Sequence, residues 1–340
     1  MGPDMILEYL AKAWRKLDAD ISGYPRFLWQ VGVRRRNLVI VDFQGSMGDL
    51  VCFCASLPGL RKRHAPCWII FVTHRDYLGL VRSTGLADIA TKRYGFFHLF
   101  AERFCPRDRY YTPTASPLIT TWAKPVNPPI HTAVHFAELL GVEPRMDEVY
   151  LRPRPPLQRR MRRRLAGINP DGRPILAIHA GPTWAVREWP YWEELGERIA
   201  KNLQLQMIQI GTESNSSALH DHPVPRVPGA IDWVNRLSVM ETVAMLEQSR
   251  IFLGIDSGPF HLATTLGIPT IGLFGPVIGR LRAHPRAPFT CLTANVPCLG
   301  CHHDPAGELH WRTGCPYDIR CMKGISVDDV FHAIENVLKS

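Results

Sequence analysis

No stretch of the sequence reaches the roughly 18 apolar residues of a membrane-spanning helix. The start, "MGPDMILEYLAKAWRK", mixes acids and bases and lacks a long apolar block with a cleavage site, so it does not read as a signal peptide. A cytoplasmic protein is the expectation. No zinc-finger spacing, aromatic RNA-binding strand or basic-zipper heptad occurs, which argues against nucleic acid as a partner. The turn "QGSMGD" has glycines only at 45 and 48, and no Lys follows. It is neither a dinucleotide fingerprint nor a P-loop.

What remains is 340 residues of ordinary globular composition, 46% hydrophobic and 21% charged. That length exceeds the size at which one core usually keeps growing, so two domains are expected. Forty Lys and Arg against 31 Asp and Glu leave a net charge of +9. The excess suits an anionic partner: a nucleotide, a phosphorylated glycolipid or a membrane surface.

Residues 6–17 place Ile6, Leu10, Trp14 and Leu17 near one helical face, either an arm packed on the body or a membrane-surface helix. From Asn37 the pattern becomes strand ("NLVIVDF"), turn, helix ("DLVCFCASLPGLRKRH") and strand ("CWIIFVTH"), a βαβ unit that implies a parallel sheet. Residues 94–136, rich in aromatics and proline, read either as acceptor-binding loops or as peripheral cover. The proline-rich 151–158 reads as a linker. Arg152 to Arg164 contains seven arginines, with Leu157, Met161 and Leu165 every four residues. This is a helix with a basic face, solvated or set against lipid phosphates. The βα rhythm then resumes to the end of the chain. The division expected is an arm (1–36), a first α/β domain (37–150), the linker (151–158) and a second α/β domain (159–340). Ligands bind in the crevice at strand ends of such sheets.

Four strand-end stretches carry candidate chemistry. In "IDSGPFHLATTLGIP", Ser257 or Gly258 fits an N-cap, Pro259 the first turn and Gly267 the helix end. A helix that starts at a strand end offers amides and dipole to a diphosphate, with His261 in its first turn. A plain capped turn is the structural alternative. In "HAGPTWAVREWP", Thr183 can donate to a phosphate oxygen and Arg187 supplies fixed positive charge. The alternative is a βα loop whose tryptophans pack the helix beneath. Glu213 in "IGTES" suits a ribose or base edge, or a helix cap. In "QGSMGD", Ser46 and Asp49 have capping-box spacing, while the Asp49 carboxylate could also take a proton from a hydroxyl nucleophile.

Together these stretches resemble glycosyltransferase family 9, the bacterial ADP-heptose heptosyltransferases, over roughly residues 37–337. "GSMGDLV" is similar to the family's acceptor-side turn, and "HAGPTWAVREWP" to its H-x-G-x-S-W-x-x-K-x-W-P stretch. "DSGPFHLATTLGIP" is similar to D-S/T-G-x-x-H-x-A-x-x-x-G-x-P. The resemblance implies a GT-B architecture, two Rossmann-like parallel-sheet domains facing across a cleft. It implies inverting transfer with no cofactor required for catalysis. Asp49 resembles the general base. Thr183, Arg187, Glu213, Asp256, Ser257, Gly258 and His261 resemble donor-binding positions. Arg187 stands where Lys is commoner, and Ala55 where a proline is usual. The implied partners are a nucleotide sugar, ADP-heptose foremost, and a glycolipid or protein acceptor. Peripheral contact with the inner membrane and a homo-oligomer are further expectations.

Cys298, Cys301, Cys315 and Cys321 are spaced C-x2-C, then C-x5-C, within a Cys-rich finger at 291–322. Such thiols in a cytoplasmic protein suit a structural zinc or iron, with His302, His303 or His310 as substitute ligands. In the family's autotransporter-modifying branch a comparable finger holds iron. Two other function classes stand beside the transferase: a noncatalytic sugar-nucleotide-binding or assembly module, and a nucleotide-sugar isomerase.

Overall fold

The computed structural model describes residues 23–113, 129–181, 184–213, 224–304 and 314–339. The 6–17 helix, Thr183 and His310 lie outside the described residues. The first half contains α1 (Gly23–Phe27), running into a π-helical turn (Leu28–Val33), then β1 (Asn37–Asp42), α2 (Met47–Cys54), α3 (Leu57–Arg63) and β2 (Cys67–Thr73). There follow α4 (Leu78–Thr84), β3 (Ile89–Lys92), α5 (Phe96–Glu102), β4 (Tyr110–Tyr111) and α6 (Thr132–Leu139). The second half contains α7 (Pro155–Ile168), β5 (Ile175–His179), α8 (Trp192–Asn202), β6 (Gln206–Gln209), β7 (Ile231–Asp232), α9 (Val239–Leu246) and β8 (Ile251–Ile255). It closes with α10 (Gly258–Leu266), β9 (Thr270–Leu273), β10 (Phe289–Leu292), α11 (Arg320–Lys323) and α12 (Val327–Lys339). None of the described helices is long and apolar enough to cross a membrane.

The strands form two parallel sheets, ordered β3-β2-β1-β4 and β10-β9-β8-β5-β6-β7. β2, β5 and β8 are buried along their whole length, which is why they read as unbroken apolar runs rather than alternating ones. Both sheets step outward in one direction and then reverse. The reversals fall between β1 and β4 and between β5 and β8. At such a switch point the loops leaving neighbouring strands diverge and open a crevice at the carboxyl ends.

The expected linker is shorter than 151–158. Pro155 and Pro156 open α7 instead of preceding it, because a first-turn proline forfeits no helical hydrogen bond. The basic helix is present, with Met161 and Leu165 buried. Its arginines are partly engaged: Arg160 pairs with Glu241 at 2.6 Å and Arg164 lies 4.1 Å over the Trp233 ring. The stretch expected as one helix after the first turn breaks into α2 and α3 at Ala55–Ser56.

The two halves share one apolar core, in which Leu50 and Phe53 of α2 join Phe260 and Leu262 of α10. Two histidines stitch the seam. His131 accepts from Ala133 N through Nδ1 (3.1 Å), capping α6, so its proton sits on Nε2 and is donated to Ala283 O (3.1 Å). His284 repeats the device, accepting from Arg286 N (3.1 Å) and donating to Met146 O (2.8 Å). Both rings are neutral by construction, and burial lowers both pKa values, that of His131 to about 4. A depressed folded-state pKa means that the unfolded chain binds the proton first. Stability is therefore complete above about pH 6.5 and declines toward pH 4, by up to about 1.4 kcal/mol per pH unit for His131. Urea unfolding across that range should show the decline, and His131→Ala should flatten it; an unchanged slope would contradict the assignment.

Candidate active site

The two switch points meet. β1 ends at Asp42, and the chain turns through Gln44–Ser46 into α2, whose N-cap is Ser46. β8 ends at Ile255, and Asp256 and Ser257 lead into α10, with Ser257 as N-cap and Gly267 as left-handed C-cap. The N-terminal turns of the two helices abut. A Cβ on Gly48 would stand 2.4 Å from the His261 ring, and one on Gly258 2.2 Å from Met47 Cε. Glycine at 48 leaves room for the buried His261 ring, while a side chain at 258 would only push the flexible Met47 tip aside.

Four charged side chains are buried where the turns meet. Arg282 Nε donates to Asp256 Oδ1 (3.2 Å), its Nη1 to Thr132 Oγ1 (2.5 Å) and its Nη2 to His261 Nε2 (3.1 Å). The same Nη2 lies 3.9 Å from Asp49 Oδ1. Arg187 Nη1 donates to Asp256 O (2.9 Å), and its Nη2 lies 3.2 Å from Asp256 Oδ2. Burial alone would raise the Asp256 pKa, but the Arg187 and Arg282 guanidinium groups hold its carboxyl well below the usual range. Burial, then Arg282, lowers the pKa of His261. Arginine can only donate, so the neutral ring accepts through Nε2 and carries its proton on Nδ1, 3.6 Å from Cys52 Sγ. Burial pushes the Cys52 thiol up to about 12, so it too is uncharged. Two carboxylates, two guanidiniums and neutral neighbours make a locally balanced cluster, the form in which buried charge is tolerated.

The candidates from sequence fall into two groups, with Thr183 outside the described residues. Asp49, Arg187, Asp256, Ser257, Gly258 and His261 come together across the seam. Asp49 N donates to Ser46 Oγ (3.3 Å), so Ser46 caps α2, but Asp49 Oδ2 accepts from the same hydroxyl (2.7 Å) rather than from the Ser46 backbone, so only half of the capping box forms. Its buried Oδ1 accepts no hydrogen bond. The anion-binding potential of α10 is narrower than the sequence suggests. Pro259 has no N–H, and Ser257 Oγ takes the Phe260 N–H at 3.4 Å, so Gly258 carries the first-turn amide on offer. Glu213 lies apart on the loop after β6, exposed and paired with Arg226 at 2.6 Å.

Sequence reasoning missed Arg282, which stands in a loop with no motif around it. It also missed Asp42, buried at the end of β1 and held by Arg93 at 2.9 Å and by Gln44. Neither has a local signal; only the meeting of distant loops selects them.

The Cys-rich finger docks beside this cluster. Gly300 N and His302 N donate to Gly275 O and Pro276 O, each at 2.9 Å. His302 and His303 lie near enough to feel the charges of Arg282 and Asp256. Burial and the neighbouring Cys321, Cys298 and Cys315 push Cys301 up to about 12, so the four thiols share one neighbourhood. Among the described residues, however, no three Cys, His, Asp or Glu side chains are arranged to hold a metal ion. Four thiols are the right donor set for zinc or iron, but their placement is not a closed tetrahedron.

Comparison with known proteins agrees with this architecture. The family model described as glycosyltransferase family 9 (heptosyltransferase) matches residues 135–305. Lipopolysaccharide heptosyltransferase 1 of Pseudomonas aeruginosa is 31% identical over 161 residues, a segment that spans 43% of this chain and only 42% of that relative. Among solved structures, a glycosyl transferase family 9 protein from Veillonella parvula superimposes with a TM-score of 0.64 at 14% identity, covering 89% of this chain and 98% of that one. The iron-containing dodecameric glycosyltransferase TibC from enterotoxigenic E. coli gives 0.62 at 18% identity, covering 89% and 76%. TibC has also been solved in complex with ADP-D-β-D-heptose. The shared fold is GT-B, as expected, and the chain belongs to glycosyltransferase family 9, the heptosyltransferase family.

Proposed function

We propose that this protein is an inverting glycosyltransferase that moves a sugar from a nucleotide diphosphate donor, ADP-heptose foremost, to an acceptor hydroxyl. The observation that carries the reading is the Asp49 carboxylate. It stands in the first turn of α2, facing the N-terminal turn of α10, with Oδ1 free of hydrogen bonds. A base needs an unfilled acceptor oxygen directed at the reacting hydroxyl. Ser46 holds the other oxygen and fixes the orientation.

In the proposed step the acceptor oxygen bonds to the anomeric carbon as the bond from that carbon to the diphosphate breaks. The acceptor proton passes to Asp49 Oδ1, and the electron pair leaves with the nucleotide diphosphate. The growing charge on the leaving group is met by the Gly258 amide, the α10 dipole and Arg187, groups held in place before the reaction begins. Thr183 and Glu213 are assigned to the donor by the resemblance of their stretches alone, and Glu213 would have to leave Arg226 to reach it. Asp256 acts one step back, anchoring Arg187 and Arg282. Met47 lies over Gly258, so donor access requires the Met47 side chain to swing aside.

The acceptor is a glycolipid of the lipopolysaccharide core or a protein. The net charge of +9 favours the anionic glycolipid, and the Cys-rich finger favours the protein. Cys298, Cys301, Cys315 and Cys321 have the donor chemistry for a structural zinc or iron ion, and holding one would require the thiols to draw into a tetrahedron that they do not form here.

Asp49→Asn should lower transfer by at least about 100-fold while leaving ADP affinity within about threefold. Incubation with a panel of nucleotide sugars and both acceptor classes, read by mass spectrometry, measures the first; calorimetric titration with ADP measures the second. Full residual activity would refute the base, and donor binding without any transfer by the native chain would point to a noncatalytic module. Elemental analysis of the purified protein should find stoichiometric zinc or iron, lost in Cys298→Ser/Cys301→Ser. Metal-free protein with all four thiols reduced would end the metal assignment.

A further inference from the structure

The first half carries an apolar surface that the transfer reaction does not use. α1 and α5 cover one face of the β3-β2-β1-β4 sheet, burying Phe27, Phe97 and Ala101 against Leu38, Ile40 and Trp68. Their outer sides remain open. Trp29 is 52% exposed, Val33 64% and Phe96 78%, and Leu28, Leu99 and Phe104 are exposed with them. An aromatic layer joins the two segments: Phe27 and Phe100 lie 5.2 Å apart, Phe100 and Phe104 5.1 Å, and Tyr24 and Phe100 5.0 Å. Single exposed apolar residues are ordinary, but a contiguous set on neighbouring elements marks an interaction surface.

The charge around this patch is one-sided. Arg26, Arg34, Arg35, Arg103 and Arg107 are exposed within the same two segments, against only Glu102 and Asp108. Arg34 leans over the Trp29 ring at 5.8 Å. A second copy of the chain would bring two arginine sets together, which disfavours self-association through this face. An aromatic and aliphatic tip ringed by arginines instead complements a surface with apolar depth and negative headgroups. The basic helix α7 differs in this respect. It has no exposed large apolar side chain, and Arg160 and Arg164 are engaged by α9 and Trp233.

The patch also has the right position. Arg93, just before α5, is paired with Asp42 at the end of β1, two residues before the Gln44–Ser46 turn. From there α5 runs back across the sheet until Cys105 Sγ donates to Leu38 O. The patch thus crosses the outer face of the sheet, from Phe96 at the edge where Asp49 stands to Trp29 and Val33 beside the start of β1. We propose that this face, centred on Trp29, Val33 and Phe96, docks the protein on an anionic lipid bilayer. Docking lays this outer face of the first sheet along the membrane surface. The proposal does not depend on the transferase reading, and its readout is lipid binding alone.

Full-length protein is sedimented with vesicles of phosphatidylcholine alone and with vesicles containing phosphatidylglycerol. The wild type should bind the anionic vesicles at least about tenfold more tightly, and added salt should weaken it. Trp29→Glu/Phe96→Glu and Arg34→Glu/Arg35→Glu should each lower that affinity at least about tenfold, with unchanged thermal unfolding to show that both variants fold. Four results would overturn the proposal: no preference of the wild type for anionic vesicles, wild-type binding by both variants, binding that disappears only when residues 1–22 are removed, or a patch variant that converts a wild-type dimer to monomer.

Discussion

The site depends on one electrostatic constraint: Arg187 and Arg282 are buried, and each must face a carboxylate. Asp256 serves both guanidiniums from one strand end, and Asp49 approaches Arg282 from the other half of the molecule. Removing a single partner would strand a charge away from water, at a cost of about 3–5 kcal/mol. Burial, then Arg282, lowers the pKa of His261, against the pull of Asp256 Oδ1 at 3.6 Å. The groups assigned to chemistry are thus the same groups that hold the two sheets in register.

The topology brings these residues to one place. Each sheet reverses direction once, and each reversal delivers a short helix whose N-terminus points out of the strand ends. Gly48 and Gly258 let those two helices touch at their first turns. The same contact sets the Met47 side chain against Gly258, so a donor that enters there displaces it. The neutral bridges of His131 and His284 lie along the same seam and are lost together in acid. Stability at the seam and access to the site are therefore linked properties.

Much of this arrangement was legible in the sequence where the signal is local. The buried strands β1, β2, β5 and β8 are unbroken apolar runs. The caps at Ser46, Ser257 and Gly267 follow from residue type and spacing; the capping box of Ser238 and Glu241 in α9 carries the same signal but was missed. The short strands β3, β4, β7 and β10 were not legible, because two to four residues carry no periodicity and owe their conformation to a neighbouring strand. Proline in 151–158 misled for a related reason: it ends a helix from within but opens one at its first turn. Among site residues, Asp49 and His261 belong to stretches with a local rationale. Arg282 does not; its role comes from three partners 21, 26 and 150 residues distant in sequence.

The central claim is that a single buried charge cluster joins the two halves through Asp49 and Arg282. A double-mutant cycle tests it most directly, with urea unfolding measured for the wild type, Asp49→Asn, Arg282→Gln and the pair. The account predicts that the double variant loses less stability than the two single losses summed, by at least about 1 kcal/mol, because the second change removes a charge that the first left unpaired. Additive losses would mean that the two residues do not interact across the seam, and would contradict it.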